Sequence, residues 1–91
     1  MKQTLEGAVV SVEVLLEEGE DETQAEAIFE LRGQRVVGWG RARRNPSDPA
    51  VPQIGEELAL ARALSELSHK LLEAATAQIE RYEGHRVSVH P

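Results

Sequence analysis

The sequence predicts an α+β domain in which a three-stranded antiparallel sheet carries one long C-terminal amphipathic helix on one face. Apolar residues recur at every second position in three segments of the first 43 residues, which is the period of a β-strand. Glycine stands at two alternate positions of the third segment. After a proline-rich stretch, the apolar period becomes that of a helix.

The first two strands are predicted at residues 7–16 and 22–32. Every second residue from Val10 to Leu16 is apolar, and so is every second residue from Ala25 to Leu31. The polar segment between them contains Gly19 and has the length of a connection between antiparallel strands. Glutamate and alanine are frequent in the second segment and would also suit a helix.

A third strand is predicted at residues 35–43, after a hairpin turn of type II′ with Gly33 and Gln34 at its centre. Its two faces differ, because Gly38 and Gly40 lie on one face while Trp39 lies on the other. Glycines two residues apart leave one face almost without side chains, which predicts that another backbone passes close over it. The predicted helix is the element available for that position.

Residues 45–52 contain three prolines and are predicted to be a connector, because proline extends neither a strand nor a helix interior. A helix is predicted at residues 55–83, with its leucines on one broad arc and Arg62, Glu66 and Lys70 on the opposite side. Gly84 is expected to end it. The tail at 85–91 is either a short extra strand or frayed.

The composition indicates a single domain over residues 1–91 with a net charge of −6 and no cysteine. Disulfides, cysteine nucleophiles and cysteine-ligated metals are therefore excluded. The first 31 residues carry nine acids against Lys2 alone, whereas residues 32–47 carry five arginines and no acid. No apolar stretch has the length of a membrane span and the N-terminus has no signal-peptide core, so we expect a cytoplasmic protein that does not bind membranes.

The stretch from Val36 to Leu67 resembles a family of small actinobacterial proteins of unknown function, whose fold is similar to that of the double-stranded-RNA-binding domain. The matching features are the Gly-x-Gly strand, the Ala-Arg before Asn45-Pro46, the Pro-x-Ile-Gly-x-Glu-Leu-Ala of residues 52–59 and the Ala-Arg-Ala-Leu-Ser of residues 61–65. The resemblance implies the same sheet and helix, without an N-terminal helix, and it implies no activity. Binding of double-stranded RNA is not expected, because Glu56 and Glu57 stand where RNA-binding members have lysines.

One candidate site is a group of arginines, Arg41, Arg43 and Arg44. The first two share a strand face with Trp39, an arrangement that can bind single-stranded nucleic acid or a small anion. The alternative, which we favour, is that these arginines pair with Glu13, Glu26 and Glu30 on neighbouring strands.

The second candidate is the sheet face without the helix. It is predicted to carry Ile28, Val37 and Trp39, together with Val9 and Leu15. Side chains of this size would expose about 500 Å² of apolar surface, which is typical of an interface. We therefore expect a homodimer, assembled through this face or through the part of the long helix that extends beyond the sheet.

Catalysis, a metal and a cofactor are not expected. His69 lies on the charged side of the helix, while His85 and His90 lie in the tail, and none has acids or cysteines at ligand spacing. Ser65 and Ser68 do not form a nucleophile–base pair with a histidine. The sequence therefore predicts a non-catalytic binding or assembly module.

Overall fold

A computed structural model describes residues 5–84 of the chain and shows the α+β fold that the sequence predicts. The elements follow in the order β1 (Val12–Glu18), β2 (Glu22–Leu31), β3 (Gln34–Arg43) and α1 (Pro52–Glu83). The three strands form one antiparallel sheet in the order β1-β2-β3. The helix crosses β3 and β2 and scarcely touches β1.

The strand register determines which residues share a face. Val14 lies opposite Ala27, which lies opposite Gly38, and this row is on the side of the helix. The neighbouring row, Leu15, Glu26 and Trp39, is on the other side, because successive side chains of a strand alternate. We call the side without the helix the open face.

The two glycines of β3 seat the helix, as the sequence predicts. A Cβ atom added at Gly38 would lie 2.9 Å from the Leu67 Cα atom, and one added at Gly40 would lie 3.0 Å from the Ala63 Cα atom. The helix backbone therefore rests directly on the strand. Ala59 and Ala63 have no exposed surface and Leu67 has almost none, so the line of contact consists of small residues flanked by the leucines.

The start of β1 and the turn before β3 differ from the prediction. Strand β1 begins at Val12 instead of residue 7, since pairing with β2 extends only to the Val12–Phe29 pair. The hairpin loop consists of Arg32 and Gly33, not Gly33 and Gln34. Both residues have positive φ, 51° and 80°, which is typical of a type I′ turn instead of type II′.

The helix begins three residues earlier than predicted, because Pro52 is its first residue. Proline is accepted there, since the first N–H groups of a helix have no partner within the helix. Glu56 and Glu57 consequently lie in the second turn. The helix ends at Glu83 and is capped by Gly84, whose φ is 72° and whose N–H donates to the Glu80 carbonyl over 2.7 Å. The predicted extra strand at 85–91 lies outside the described residues.

Candidate interaction surfaces

The open face brings together the predicted apolar residues of β2 and β3. Ile28 lies directly opposite Val37, and both are half-buried. Trp39 is 54% exposed and lies one row away, opposite Glu26 and in line with Leu15. Val9 is almost fully exposed and precedes β1, so it does not belong to this face.

Charges on the open face are sorted by strand. The strands β1 and β2 contribute only acids, and β3 contributes only bases. The acids are Glu13, Glu17, Glu22, Glu26 and Glu30, and the bases are Arg35, Arg41 and Arg43. The open face is therefore acidic on β1 and β2 and basic on β3, and its apolar residues lie in two adjacent rows that cross the strands.

The candidate arginines do not form one cluster. The Arg41 Nε atom lies 2.7 Å from a Glu22 carboxylate oxygen, and the Arg44 Nη2 atom lies 2.8 Å from an Asp21 oxygen. The ion-pair partners are therefore Glu22 and Asp21, at the end of the hairpin, and not the glutamates expected from strand parity. Among residues 5–84, Arg43 has no ion pair or side-chain hydrogen bond and lies on the open face opposite Glu22.

The outer edge of β3 is covered by side chains of the helix. Arg62 donates to the Arg41 carbonyl over 2.7 Å, and Lys70 donates to the Val37 carbonyl over 2.7 Å. Between them, a Glu66 oxygen accepts the N–H of Trp39 over 3.0 Å. Residues four apart on a helix rise about 6 Å, and residues two apart on a strand rise about 6.8 Å. Side chains at every fourth position of the helix can therefore reach successive outward backbone groups of β3.

The helical period predicts these three residues on the side of the helix that faces away from the sheet, and their bonds to β3 are a correction. Their charges alternate along the helix, so that the two cations meet carbonyl oxygens and the carboxylate between them meets an N–H. This alternation at intervals of four residues is the signal in the sequence. The Trp39 N–H, together with the Lys70 ammonium, lowers the pKa of Glu66. Unpaired strand edges invite unwanted pairing, and here the edge is occupied.

The edge of β1 is bare by comparison. None of the hydrogen bonds found for residues 5–84 joins a backbone group of Val12, Val14 or Leu16 to anything outside the sheet. Their side chains lie on the helix side, where Val12 is 42% and Leu16 is 44% exposed because the helix lies over the other two strands.

The side of the helix nearest β1 is apolar. Glu56 contacts Glu18 at the end of β1, and the hydrogen bond and charge repulsion between these carboxyl groups raise the pKa of Glu56. Leu60 and Leu64 follow Glu56 at intervals of four residues, so they lie on the same side of the helix. We call Val12, Leu16, Leu60 and Leu64 the apolar shelf.

A concave region of about 370 Å³ lies at the end of the sheet, between the β1–β2 turn, the end of β3 and the start of the helix. Thr23 and Ala42 form part of its lining, with Ile54 and Leu58 from the helix. Arg44 contributes to this lining and is held by Asp21 and by the Asp48 carbonyl, at 2.8 and 2.9 Å. This arginine is therefore occupied by internal contacts and does not reach the open face.

Chemistry-bearing groups are sparse in the part of the chain that the structure describes. His69 is exposed and lies 3.1 Å from Glu73, one turn later on the helix. Over residues 5–84 no group of three or more histidines and acids has the arrangement of a metal site. In the same range, the helix is not apolar enough over a sufficient length to cross a membrane. His85 and His90 lie outside the described residues.

Comparison with known proteins places the chain in a family. A family model described as Rv2632c-like matches residues 8–88. The chain belongs to the Rv2632c-like family. It is 43% identical over 74 residues to the uncharacterised protein Rv2632c of Mycobacterium tuberculosis, covering 81% of this chain and 80% of that protein. It is also 44% identical over 70 residues to the uncharacterised protein Mb1767 of Mycobacterium bovis, covering 77% and 74%.

A crystal structure of Rv2632c agrees with the fold described above. The two structures superpose with a TM-score of 0.80 at 40% sequence identity, over 88% of this chain and 95% of the other. The expected membership in a family of small actinobacterial proteins of unknown function is thus confirmed, and the family is the Rv2632c-like family. Its similarity to the double-stranded-RNA-binding domain stays a prediction.

Proposed function

We propose that the protein is a non-catalytic assembly module of the cytoplasm that forms homodimers through its open face. The observation that carries this proposal is Trp39, a large aromatic side chain that is 54% exposed beside Ile28 and Val37 on the side without the helix. Exposed tryptophans framed by polar residues are typical centres of protein interfaces. No cofactor belongs to this proposal.

The charges of the open face support a second copy as the partner. A two-fold axis that passes through the apolar centre parallel to the strands would bring the arginines of β3 in one copy onto the glutamates of β1 and β2 in the other. Such an arrangement leaves Arg41 and Arg43 at the rim of the interface, where charges select partners more than they add affinity.

The size of the apolar centre sets the expected affinity. Leu15, Ile28, Val37 and Trp39 are all partly covered, so they expose roughly 300 Å², less than the roughly 500 Å² expected from the sequence. Stable interfaces bury about 800 Å² per partner, and the charged rows must therefore contribute much of the area. We expect a reversible dimer that weakens as salt is added.

The test is sedimentation of the protein between about 10 μM and 1 mM, a range that covers weak dimers. Trp39→Ala should weaken dimerisation at least tenfold, while Tyr82→Ala, which removes an exposed aromatic side chain from the overhanging end of the helix, should leave it unchanged. A parent protein that stays monomeric at the highest concentration, or a Trp39→Ala variant that dimerises like the parent, contradicts the proposal.

The rival function is binding of single-stranded nucleic acid or a small anion through the arginines of β3. It is favoured by Arg43, which lies on the same face as Trp39 without an ion pair among the described residues. Two ion pairs oppose it, because Arg41 and Arg44 are held by Glu22 and Asp21. Titration with oligonucleotides at two salt concentrations separates the functions, since phosphate binding weakens as salt rises and depends on Arg43.

A further inference from the structure

We propose that the bare edge of β1 is a docking site for an extended peptide in which apolar and basic residues alternate. The peptide would add a fourth strand to the sheet beside β1. This inference goes beyond dimerisation through Trp39, because it concerns another edge of the sheet and another class of partner.

The two edges of the sheet differ in whether their backbone groups have hydrogen-bond partners. Arg62, Glu66 and Lys70 satisfy the backbone groups on the outer side of β3, at Val37, Trp39 and Arg41. Backbone groups that point to the same side recur at every second residue of a strand. The backbone N–H and C=O groups of the odd residues of β3 point away from β2. The register of the strands makes those of the even residues of β1 point away from β2 as well, at the opposite edge of the sheet.

The outward residues of β1 are therefore Val12, Val14 and Leu16, whose N–H and C=O groups can pair with an added strand. Pairing at these three positions would form about six backbone hydrogen bonds. Addition of a strand to an exposed edge is an established mode of peptide recognition, in which backbone bonds supply affinity and side-chain pockets supply specificity.

The side chains that flank the β1 edge differ between the helix side and the open face. On the helix side, an added strand would face the apolar shelf, which consists of the exposed Val12 and Leu16 of β1 and of Leu60 and Leu64, on the side of the helix where Glu56 contacts the end of β1. Alternate residues of the peptide that point to this side should be valine, leucine or isoleucine, because the shelf offers them apolar contacts.

On the open face, the same strand would face acids. Glu13 and Glu17 lie on that side of β1 with Leu15 between them, and Glu18, on the helix side, ends the strand. Residues 5–31 contain no lysine or arginine. The other alternate residues of the peptide should therefore be lysine or arginine. A second copy of β1 fits less well, since it would bring three more glutamates to an edge that is already acidic.

The probe is a synthetic peptide of seven residues that alternates lysine with valine, acetylated and amidated at its ends. Addition of this peptide to the full-length protein should slow hydrogen exchange of the Val12, Val14 and Leu16 amides at least tenfold, because these amides become bonded. The same peptide with glutamate in place of lysine is the charge control and should bind at least tenfold more weakly.

N-methylation gives a matched pair of backbone controls. Methyl groups on the peptide amides that face β1 should abolish binding, whereas methyl groups on the alternate amides, which face solvent, should change it less than threefold. On the protein, Glu13→Gln with Glu17→Gln should weaken binding at least fivefold, while Glu30→Gln, on β2 beside Arg35, should not.

Three outcomes would overturn this inference. They are the absence of binding at 1 mM peptide, equal effects of the two N-methylated peptides, and slow exchange of the three β1 amides in the protein alone at high concentration. The last result would show that another strand, from the same chain or from a second copy, already occupies the edge. Each differs from failure of the proposed dimer, which is measured without peptide by its dependence on Trp39.

Discussion

Replacement of Gly38 by valine tests the seat of the helix on the sheet. The new Cβ atom would lie 2.9 Å from the Leu67 Cα atom and 2.5 Å from the Leu67 nitrogen, and it would also press on the Ala63 carbonyl. Ordinary contacts between such atoms are about 3.5–4.0 Å, so the helix must retreat by about 1 Å. All three neighbouring groups belong to the helix backbone, and none can move aside without moving the helix.

The expected cost follows from this displacement. Overpacking of a core costs about 1–3 kcal/mol, and a gap of up to 1 Å along the rest of the contact line forfeits a quarter to a half of its dispersion energy. We therefore expect a loss of about 3 kcal/mol in the free energy of unfolding. For a domain of this size, this corresponds to a fall in Tm of about 12 °C or more.

The sign of the effect is informative because strand propensity predicts the opposite. Valine is favoured over glycine in strands by up to about 1 kcal/mol, so a helix that did not touch β3 would leave the variant more stable than the parent. Thermal and urea unfolding followed by circular dichroism measure the difference. Gly7→Val is the control, because a Cβ atom at Gly7 meets nothing within 4 Å. A Gly38→Val protein with the parent's Tm would refute the close contact.

Two further predictions concern carboxylates with shifted pKa values. The Trp39 N–H and Lys70 lower the pKa of Glu66, so this carboxylate stabilises the fold above its usual titration range and the contribution is lost as the pH falls through its folded pKa. Glu66→Gln should therefore lower Tm at pH 7 and have a smaller effect near pH 3, in melts recorded across this range. Glu18 raises the pKa of Glu56 by a hydrogen bond and by repulsion, so the pair favours folding below the usual carboxyl pKa and loses that contribution as the pH rises through the folded pKa. Glu56→Gln should raise Tm at pH 7 but not at pH 4, and an equal gain at both pH values would contradict the like-charge explanation.

Much of the fold could be predicted from local sequence patterns. The alternation in β2 and β3 fixed which residues share a face, and it placed Ile28, Val37 and Trp39 together as the structure does. The glycines of β3 identified the side on which the helix lies, because few other arrangements require two side-chain-free positions.

Boundaries and pairings were harder to predict, because they depend on the three-dimensional register. The partner of Arg41 is Glu22, which has the expected parity on β2 but lies one row nearer the β1–β2 turn than the residue directly opposite Arg41. The turn uses Arg32 at positive φ, a conformation for which the residue type gives little signal. The bonds from the helix to the β3 edge become apparent only when the helix position is known.

The contact of the helix with β3 has a consequence for how the helix finds its place. The polar row alone would tolerate a slip by one turn, because Trp39 and Arg41 each present both an N–H and a C=O at the edge, and Lys70 and Glu66 would meet the same kinds of group two residues along. The contact with the glycines would not tolerate it, because Val36 and Ala42 flank Gly38 and Gly40 on the helix side. A slip in either direction would bring the helix backbone onto one of these two Cβ atoms, so a gap only two glycines long selects one docked position for the helix.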